Sequence, residues 1–151
     1  MQDYSERETA QVASTEGSAK SQEVASLGLT PGVAVQELGW DSDVDETLRE
    51  AIMDAIDSDL LYEATEAVDV VLLWWRDSDG DVVDGLVDAL TDLSPTGYIW
   101  LLTPKVGRDD YVDATDLAEG ALTAGLSLAN PASVSENWQA RKLVRPKGGR
   151  R

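Results

Sequence analysis

The sequence contains no cysteine and no histidine among its 151 residues. Without cysteine the chain has no thiolate nucleophile, no disulfide and no thiolate ligands for an iron–sulfur cluster. Without histidine it also lacks imidazole acid–base chemistry and the ligand set of ordinary zinc sites. These absences remove many familiar catalytic mechanisms, and the lack of cysteine fits a reducing environment such as the cytoplasm.

Long apolar runs are absent as well. The longest one, Val70 to Trp75, is far shorter than the roughly 20 residues that a transmembrane helix needs. The opening residues, MQDYSERETA, contain neither the basic nor the apolar part of a signal peptide. We therefore expect a soluble, cytoplasmic protein that makes no membrane contact.

Positive charge is scarce, with 12 basic residues against 29 acidic ones and a formal net charge of −17. Repulsion from phosphates argues against nucleic acid as a partner. The charges are segregated, because residues 41–92 carry most of the carboxylates and residues 141–151 carry half of the cations. Either the acidic surface is simply solvated and the tail aids solubility, or the basic tail binds an acidic surface or a polyanion.

The length predicts one domain, since a chain of about 150 residues buries roughly 70% of its unfolded surface and needs no disulfide or metal. Residues 1–24 are rich in Ser, Glu, Gln, Thr and Ala and are predicted to form a disordered arm. A single α/β domain is expected over 25–147, followed by a flexible basic tail at 148–151.

Apolar runs and helical periodicity alternate along this domain. Predicted strands cover 33–38, 68–75, 98–103, 126–134 and 138–144, the last as an edge strand, and a turn is predicted at 94–97. Predicted helices run from a cap within 41–43 to residue 57, over 82–93 with Val87 on the buried side, and over 115–124. This order predicts a small Rossmann-like α/β fold with a right-handed, mostly parallel sheet flanked by helices, and a C-terminal antiparallel hairpin is plausible.

Four sequence blocks carry a family resemblance. They are LGLTPG at 27–32, VDVVLLWWRD at 68–77, WLLTPKVGR at 100–108 and WQARKLVRPK at 138–147. Together they resemble the actinobacterial family named domain of unknown function 3052, over roughly residues 25–147. The resemblance implies a small Rossmann-like fold and an actinobacterial cytosolic protein, and it implies no activity, cofactor or catalytic residue.

A more distant resemblance is to the S-adenosylmethionine methyltransferase fold, in which a glycine-rich loop after the first strand lets the backbone approach the cofactor. The corresponding loop here has only Gly39, and the bulky Trp40 follows it. We therefore predict no cofactor.

Ligands of open α/β sheets bind beyond the carboxyl ends of the strands. Three such loops are predicted to meet at one edge and to form a crevice for an anion, although their cations could instead pair with neighbouring carboxylates such as Asp109 and Asp110. The candidate ligand-binding residues are Trp40, Asp41, Arg76, Asp77, Lys105, Gly107 and Arg108.

The remaining candidates are tryptophans and an acidic loop. Trp74 and Trp100 are expected in the core, whereas Trp138 is a candidate partner-binding residue at an exposed position. The loop at 77–81 lacks the spacing of an EF-hand, so no metal site is predicted, and Asp79 or Asp81 is expected to cap a helix.

Three functions remain open from the sequence. The first is a non-catalytic interaction or regulatory protein with a protein partner, and an enzyme is the less favoured interpretation. The second is a protein that binds a small molecule or a nucleotide through the predicted crevice. The third is an acidic mimic of nucleic acid. No particular oligomeric state is indicated.

Overall fold

The computed structural model describes residues 24–25 and 27–146. The predicted basic tail and, apart from Val24, the predicted N-terminal arm lie outside these residues. Val24 itself is fully buried in the core. The strands are β1 (Val35–Leu38), β2 (Val68–Trp74), β3 (Leu93–Pro104), β4 (Ser127–Ala132) and β5 (Trp138–Val144); the helices are α1 (Glu46–Ile56), α2 (Val82–Leu90) and α3 (Ala114–Thr123), with a 3₁₀ turn at Asp77–Asp79.

The strands form one five-stranded sheet in the order β1-β2-β3-β5-β4. β1, β2 and β3 are parallel, and β5 is antiparallel to both of its neighbours. This confirms the α/β class, the mostly parallel sheet and the C-terminal hairpin. The expectation that β5 is an edge strand is wrong, because β5 lies between β3 and β4. The outer strand on that side of the sheet is β4. It contains Pro131, a residue that suits an edge because it lacks a backbone N–H.

Each of the three helices begins at an aspartate whose side chain accepts a backbone N–H of the first turn. These caps are Asp45, Asp81 and Asp113, with N–O distances of 2.8–3.0 Å. Such a cap replaces a hydrogen bond that the helix itself cannot supply. The prediction of an α1 cap within 41–43 is wrong, because the helix starts later.

Two hydrophobic cores lie on opposite faces of the sheet. Alternate residues of β2 face opposite ways, so Leu72 and Trp74 pack toward α1, whereas Val71 and Leu73 pack toward α2 and α3. The segment at 24–29 also covers the α1 face through Leu27 and its neighbours. A strand buried on both faces explains the nearly continuous apolar run of β2.

The connections between parallel strands do not all have the same hand. The chain moves in one direction across the sheet from β1 to β2, from β2 to β3 and from β3 to β4, with β4 parallel to β3. α2 and α3 lie on one face and α1 on the other, so the crossover through α1 has the opposite hand. Right-handed crossovers are almost universal, so a sheet in which the connections differ in hand departs from that rule. This corrects the expectation of a uniformly right-handed sheet.

Two local predictions for 82–97 are also wrong. The expected turn at 94–97 lies within β3 as a bulge, because Val68 of β2 pairs with Leu93 and Val70 pairs with Tyr98. A carbon added at Gly97 would lie 2.7 Å from the carbonyl oxygen of Asp69. Glycine therefore allows β3 to continue closely beside β2. Val87, expected on the buried side of α2, is 53% exposed because the helix buries a narrower stripe than its apolar residues suggest.

Candidate functional site

The three loops that follow β1, β2 and β3 lie at one edge of the sheet, because these strands are parallel neighbours. We call residues 39–45, 75–81 and 105–113 the strand-end rim. All seven candidate ligand-binding residues lie on it. Among the described residues, the rim also contacts the connection between β4 and β5, because the backbone N–H of Lys105 donates to the carbonyl oxygen of Asn137 at 3.0 Å.

Arg76 occupies the middle of the strand-end rim and is buried, with 7% of its surface exposed. Its guanidinium reaches back to the β1 loop, where Nε and Nη2 donate to the two carboxylate oxygens of Asp43 and Nη1 donates to the carbonyl oxygen of Gly39 at 2.8 Å. A longer contact of 3.4 Å joins Nη1 to Asp79. The gap between the first two loops is therefore filled by a side chain of the protein itself.

The same contacts determine the charge states of Arg76 and Asp43. The hydrogen bond from Arg76 lowers the pKa of Asp43, and the nearby charge of Arg108 adds a smaller effect in the same direction. The hydrogen bond to Asp43 in turn raises the pKa of Arg76. Both groups are charged at neutral pH, so Arg76 is neutralised locally and has little attraction left for an external anion.

Trp138 lies directly beneath Arg76, with the guanidinium carbon 5.2 Å from the ring centre. Its indole packs edge-on against Trp74 at 4.9 Å, and its N–H donates to the carbonyl oxygen of Asp43 at 3.2 Å. Only 4% of Trp138 is exposed. The expectation of an exposed position for Trp138 is wrong, because β5 lies inside the sheet. Trp74 and Trp100 are buried as predicted.

Glu37 is a buried carboxylate that the sequence interpretation missed. It accepts hydrogen bonds from Arg49 Nε at 2.7 Å, from Arg49 Nη2 at 2.8 Å and from the indole N–H of Trp74 at 2.9 Å. The signal was present in the pattern of β1, because Glu37 is two residues after the core residue Val35 and must face the same side. Together with Arg49, it holds α1 against the end of the sheet.

Gly39 is the single glycine of the β1 loop and has a left-handed backbone angle, φ +81°. A carbon added at this position would lie 2.2 Å from the carbonyl oxygen of Trp74. Glycine is therefore needed at position 39 so that the β1 loop can pack against the neighbouring strand β2. In a methyltransferase the corresponding loop packs against the cofactor instead.

The other candidate residues lie nearer the surface. Trp40 is 50% exposed, with its indole N–H 3.4 Å from a carboxylate oxygen of Glu46. Asp41 is exposed and accepts the backbone N–H of Ser42 at 2.6 Å. The exposed Asp77 donates its backbone N–H to the β3 loop. The structure thus brings the β1 and β2 loops into contact through Arg76 and leaves Trp40 available to solvent.

The β3 loop carries the remaining cations. Arg108 is exposed and donates to the side-chain oxygen of Asn137 at 3.0 Å. Gly107 forms the bend with φ +90°. Neither Lys105 nor Arg108 has a carboxylate within ion-pair distance among residues 24–25 and 27–146. The alternative in which rim cations pair with Asp41, Asp77, Asp109 or Asp110 is wrong for Arg76, whose partners are Asp43 and Asp79.

The topology limits what this rim can bind. In Rossmann-like sheets a nucleotide lies where the strand order reverses on either side of β1. Here β1 is the outermost strand, and the neighbouring segment contributes only an isolated bridge from Leu61 to Gln36. The strand order does not reverse beside β1 in the described part of the chain. The loops after β1 and β2 nevertheless lead to helices on opposite faces of the sheet, so they diverge, and Arg76 occupies the space between them.

Sequence comparison decides the family. The model of a family described as "Protein of unknown function (DUF3052)" matches residues 24–147. The chain belongs to the DUF3052 family. This DUF3052 protein is 48% identical over 122 residues to proteins described as uncharacterized from Mycobacterium bovis and from Mycobacterium tuberculosis strain H37Rv. The match covers 80% of this chain and 77% of each relative.

Solved structures similar to this DUF3052 chain are methyltransferase-like. The pyocyanin biosynthetic protein PhzM aligns with a TM-score of 0.62 at 11% identity, covering 96% of this chain and 60% of PhzM. An S-adenosylmethionine-dependent methyltransferase from Aquifex aeolicus aligns with a TM-score of 0.52 at 12% identity, covering 83% and 89%. At these identities the similarity shows the fold alone, and it confirms the Rossmann-like class.

Within residues 24–25 and 27–146, no group of three or more acidic side chains is placed to hold a metal ion. None of the helices formed by those residues has the length and apolar content required to cross a membrane.

Proposed function

We propose that this DUF3052 protein is a non-catalytic interaction domain, built on a methyltransferase-like fold whose cofactor edge is closed by its own side chains. The observation that carries the proposal is the position of Arg76. Its guanidinium is held by Asp43 and by the carbonyl oxygen of Gly39, and it lies over Trp138. A cofactor that used this edge would have to displace a buried, fully partnered charge, which is costly.

Further observations support the same function. The backbone of Gly39 lies so close to the carbonyl oxygen of Trp74 that no side chain fits between them. The chain also has no histidine or cysteine to act as a general base or thiolate nucleophile. In contrast, Trp40 presents an indole at the rim, and tryptophan is a frequent anchor of protein interfaces.

Isothermal titration calorimetry tests the closed edge. We expect no saturable binding of S-adenosylmethionine or S-adenosylhomocysteine up to about 1 mM, a level at which the binding free energy would be only about 4 kcal/mol. Saturable binding of either compound to the unmodified chain would contradict the proposal, because it would show that the edge opens to admit a cofactor.

Native purification tests the interaction itself. A tagged chain expressed in its source organism should elute with a stoichiometric protein partner, and Trp40→Ala should release that partner. Val106→Ala is a matched control, because Val106 is an exposed apolar residue of the same rim at 74% exposure. Elution without a stoichiometric partner, or equal losses in both variants, would count against an interaction centred on Trp40.

A second candidate function is the binding of a nucleotide or another small anion. It is favoured by Lys105 and Arg108, which carry no carboxylate partner in the part of the chain that the structure describes. Thermal-shift measurements with ATP and acyl-CoA separate the two functions. A rise of several degrees that is abolished by Lys105→Ala or Arg108→Ala supports the anion site, and an unchanged unfolding temperature supports the interaction domain.

A further inference from the structure

Two depressions lie side by side at the opposite end of the strands from the rim. One, of about 400 Å³, lies between the start of β1 and the end of α1. The other, of about 260 Å³, lies between β1 and the start of β2. Ala34 and Leu61 line both depressions, so the two adjoin each other. We call them together the β1 groove.

Apolar side chains form about half of the lining of the β1 groove. Val33, Ala34, Ile56 and Leu61 contribute to it, and 38% of Leu61 is exposed. The next residue, Tyr62, is 79% exposed. Tyrosine combines a large apolar ring with a polar hydroxyl, so an exposed tyrosine beside an apolar groove favours contact with another polypeptide.

The edges of the β1 groove are acidic. Asp57 and Asp59 line the larger depression, Glu63 and Glu66 line the smaller one, and neither depression includes a lysine or an arginine. All four carboxylates are exposed and have no ion-pair partner within residues 24–25 and 27–146. Arg49, the single cation of residues 41–66, is already bound to Glu37 and Glu46.

We propose that the β1 groove binds a basic peptide segment with interspersed apolar side chains, contributed by another protein. Apolar side chains of the segment fill the two depressions, and its lysines or arginines meet the four carboxylates. A second copy that presented the same groove would bring like charges together, so complementarity selects a basic partner. The inference goes beyond the proposed function, because the β1 groove lies at the opposite end of the strands from Trp40 and is a second contact surface.

A direct test uses a fluorescein-labelled peptide of nine alternating lysine and leucine residues, measured by fluorescence anisotropy with the full chain. Two matched peptides separate the contributions: one has glutamate in place of lysine, and the other has serine in place of leucine. We expect the lysine–leucine peptide to bind about tenfold more tightly than either of them. Its affinity should fall as salt rises, since exposed ion pairs are screened.

Variants of the chain locate the binding surface. Tyr62→Ala and the double change Glu63→Lys/Glu66→Lys should each weaken binding of the lysine–leucine peptide about fivefold or more. The matched controls lie on α3. Leu122→Ala removes an apolar side chain that is also 79% exposed, and Asp116→Lys/Glu119→Lys reverses two exposed carboxylates that line a separate depression. These controls should change the affinity less than about twofold.

Several outcomes would overturn the inference. Equal losses in the α3 variants would mean that the peptide responds to general acidity, and equal binding of the lysine–serine peptide would mean that the apolar lining has no role. A tenfold gain after removal of residues 147–151 would assign the groove to the chain's own tail. None of these results alters the expectation that S-adenosylmethionine does not bind, so failure here is distinguishable from failure of the proposed function.

Discussion

Replacing Arg76 by methionine tests whether this residue closes the strand-end rim. Methionine keeps much of the aliphatic volume above Trp138 but removes all of the polar contacts. Those contacts are two hydrogen bonds to Asp43, one to the carbonyl oxygen of Gly39 and a longer one to Asp79.

The expected loss of stability depends on how deeply Arg76 and its two carboxylate partners are buried. A buried hydrogen bond to a charged group contributes about 1.5–3 kcal/mol when one partner is removed. The side chains of Asp43 and Asp79 are 52% and 36% exposed, so water replaces much of what they lose. We therefore expect Arg76→Met to lower the free energy of unfolding by about 2–3 kcal/mol, which corresponds to about 5–10 °C in Tm for a domain of this size.

Urea unfolding at pH 7, followed by tryptophan fluorescence, measures this loss. Arg108→Met is the matched control, because Arg108 is exposed and has one side-chain hydrogen bond, to Asn137. The control should stay within about 0.5 kcal/mol of the unmodified chain. A loss below about 1 kcal/mol for Arg76→Met, or a loss equal to that of the control, would refute the argument that a buried guanidinium holds the rim closed.

Three further changes probe the same edge. Asp43→Asn should destabilise the fold at pH 7. Because Arg76 lowers the folded pKa of Asp43, the difference in free energy of unfolding from the unmodified chain should shrink as pH falls below about 4. A difference that stays unchanged at low pH would contradict this. Gly39→Ala should cost more than about 3 kcal/mol in urea unfolding. Its control is Gly107→Ala, which is also at positive φ but in open space and should cost about 1 kcal/mol. Similar losses in the two variants would argue against a close contact at Gly39. Glu37→Leu leaves the indole N–H of Trp74 without its acceptor and leaves Arg49 with Glu46 as its remaining partner. It should cost about 2 kcal/mol by the same assay, and a loss under about 1 kcal/mol would count against the network.

Strand and helix order could be predicted from the sequence because burial patterns are local. The unbroken apolar run of β2 and the spacing of Leu48 and Ile52 in α1 each reflect which faces are covered. Boundaries were less accurate at 94–97, where Ser94 and Pro95 favour a turn in isolation. The strand continues there because Gly97 allows a close contact with β2, which depends on a neighbour about thirty residues away in the chain.

The rim residues could be located from the sequence, but their partners could not. Placing Arg76 at a strand end required only the parallel order of β2 and β3. Its pairing with Asp43 depends on how the β1 loop folds back, and the burial of Trp138 depends on β5 inserting between β3 and β4. Both are contacts between distant segments, and local charge or polarity gives no signal for them.

The connection through α1 differs in hand from the other two and sets β1 and α1 apart from the rest of the domain. The stretch from β2 to β5 contains the other two crossovers and the core between the sheet and α2 and α3. β1 and α1 cover the opposite face, and they are joined to that stretch by the link at 57–67, by pairing along one side of β2 and by the contacts of Asp43 with Arg76. Amide hydrogens of β1 and α1 should therefore exchange through a partial opening that leaves the β2–β3–β5 ladder protected. Such an opening would allow the β1 end of the molecule to rearrange around a bound segment without global unfolding.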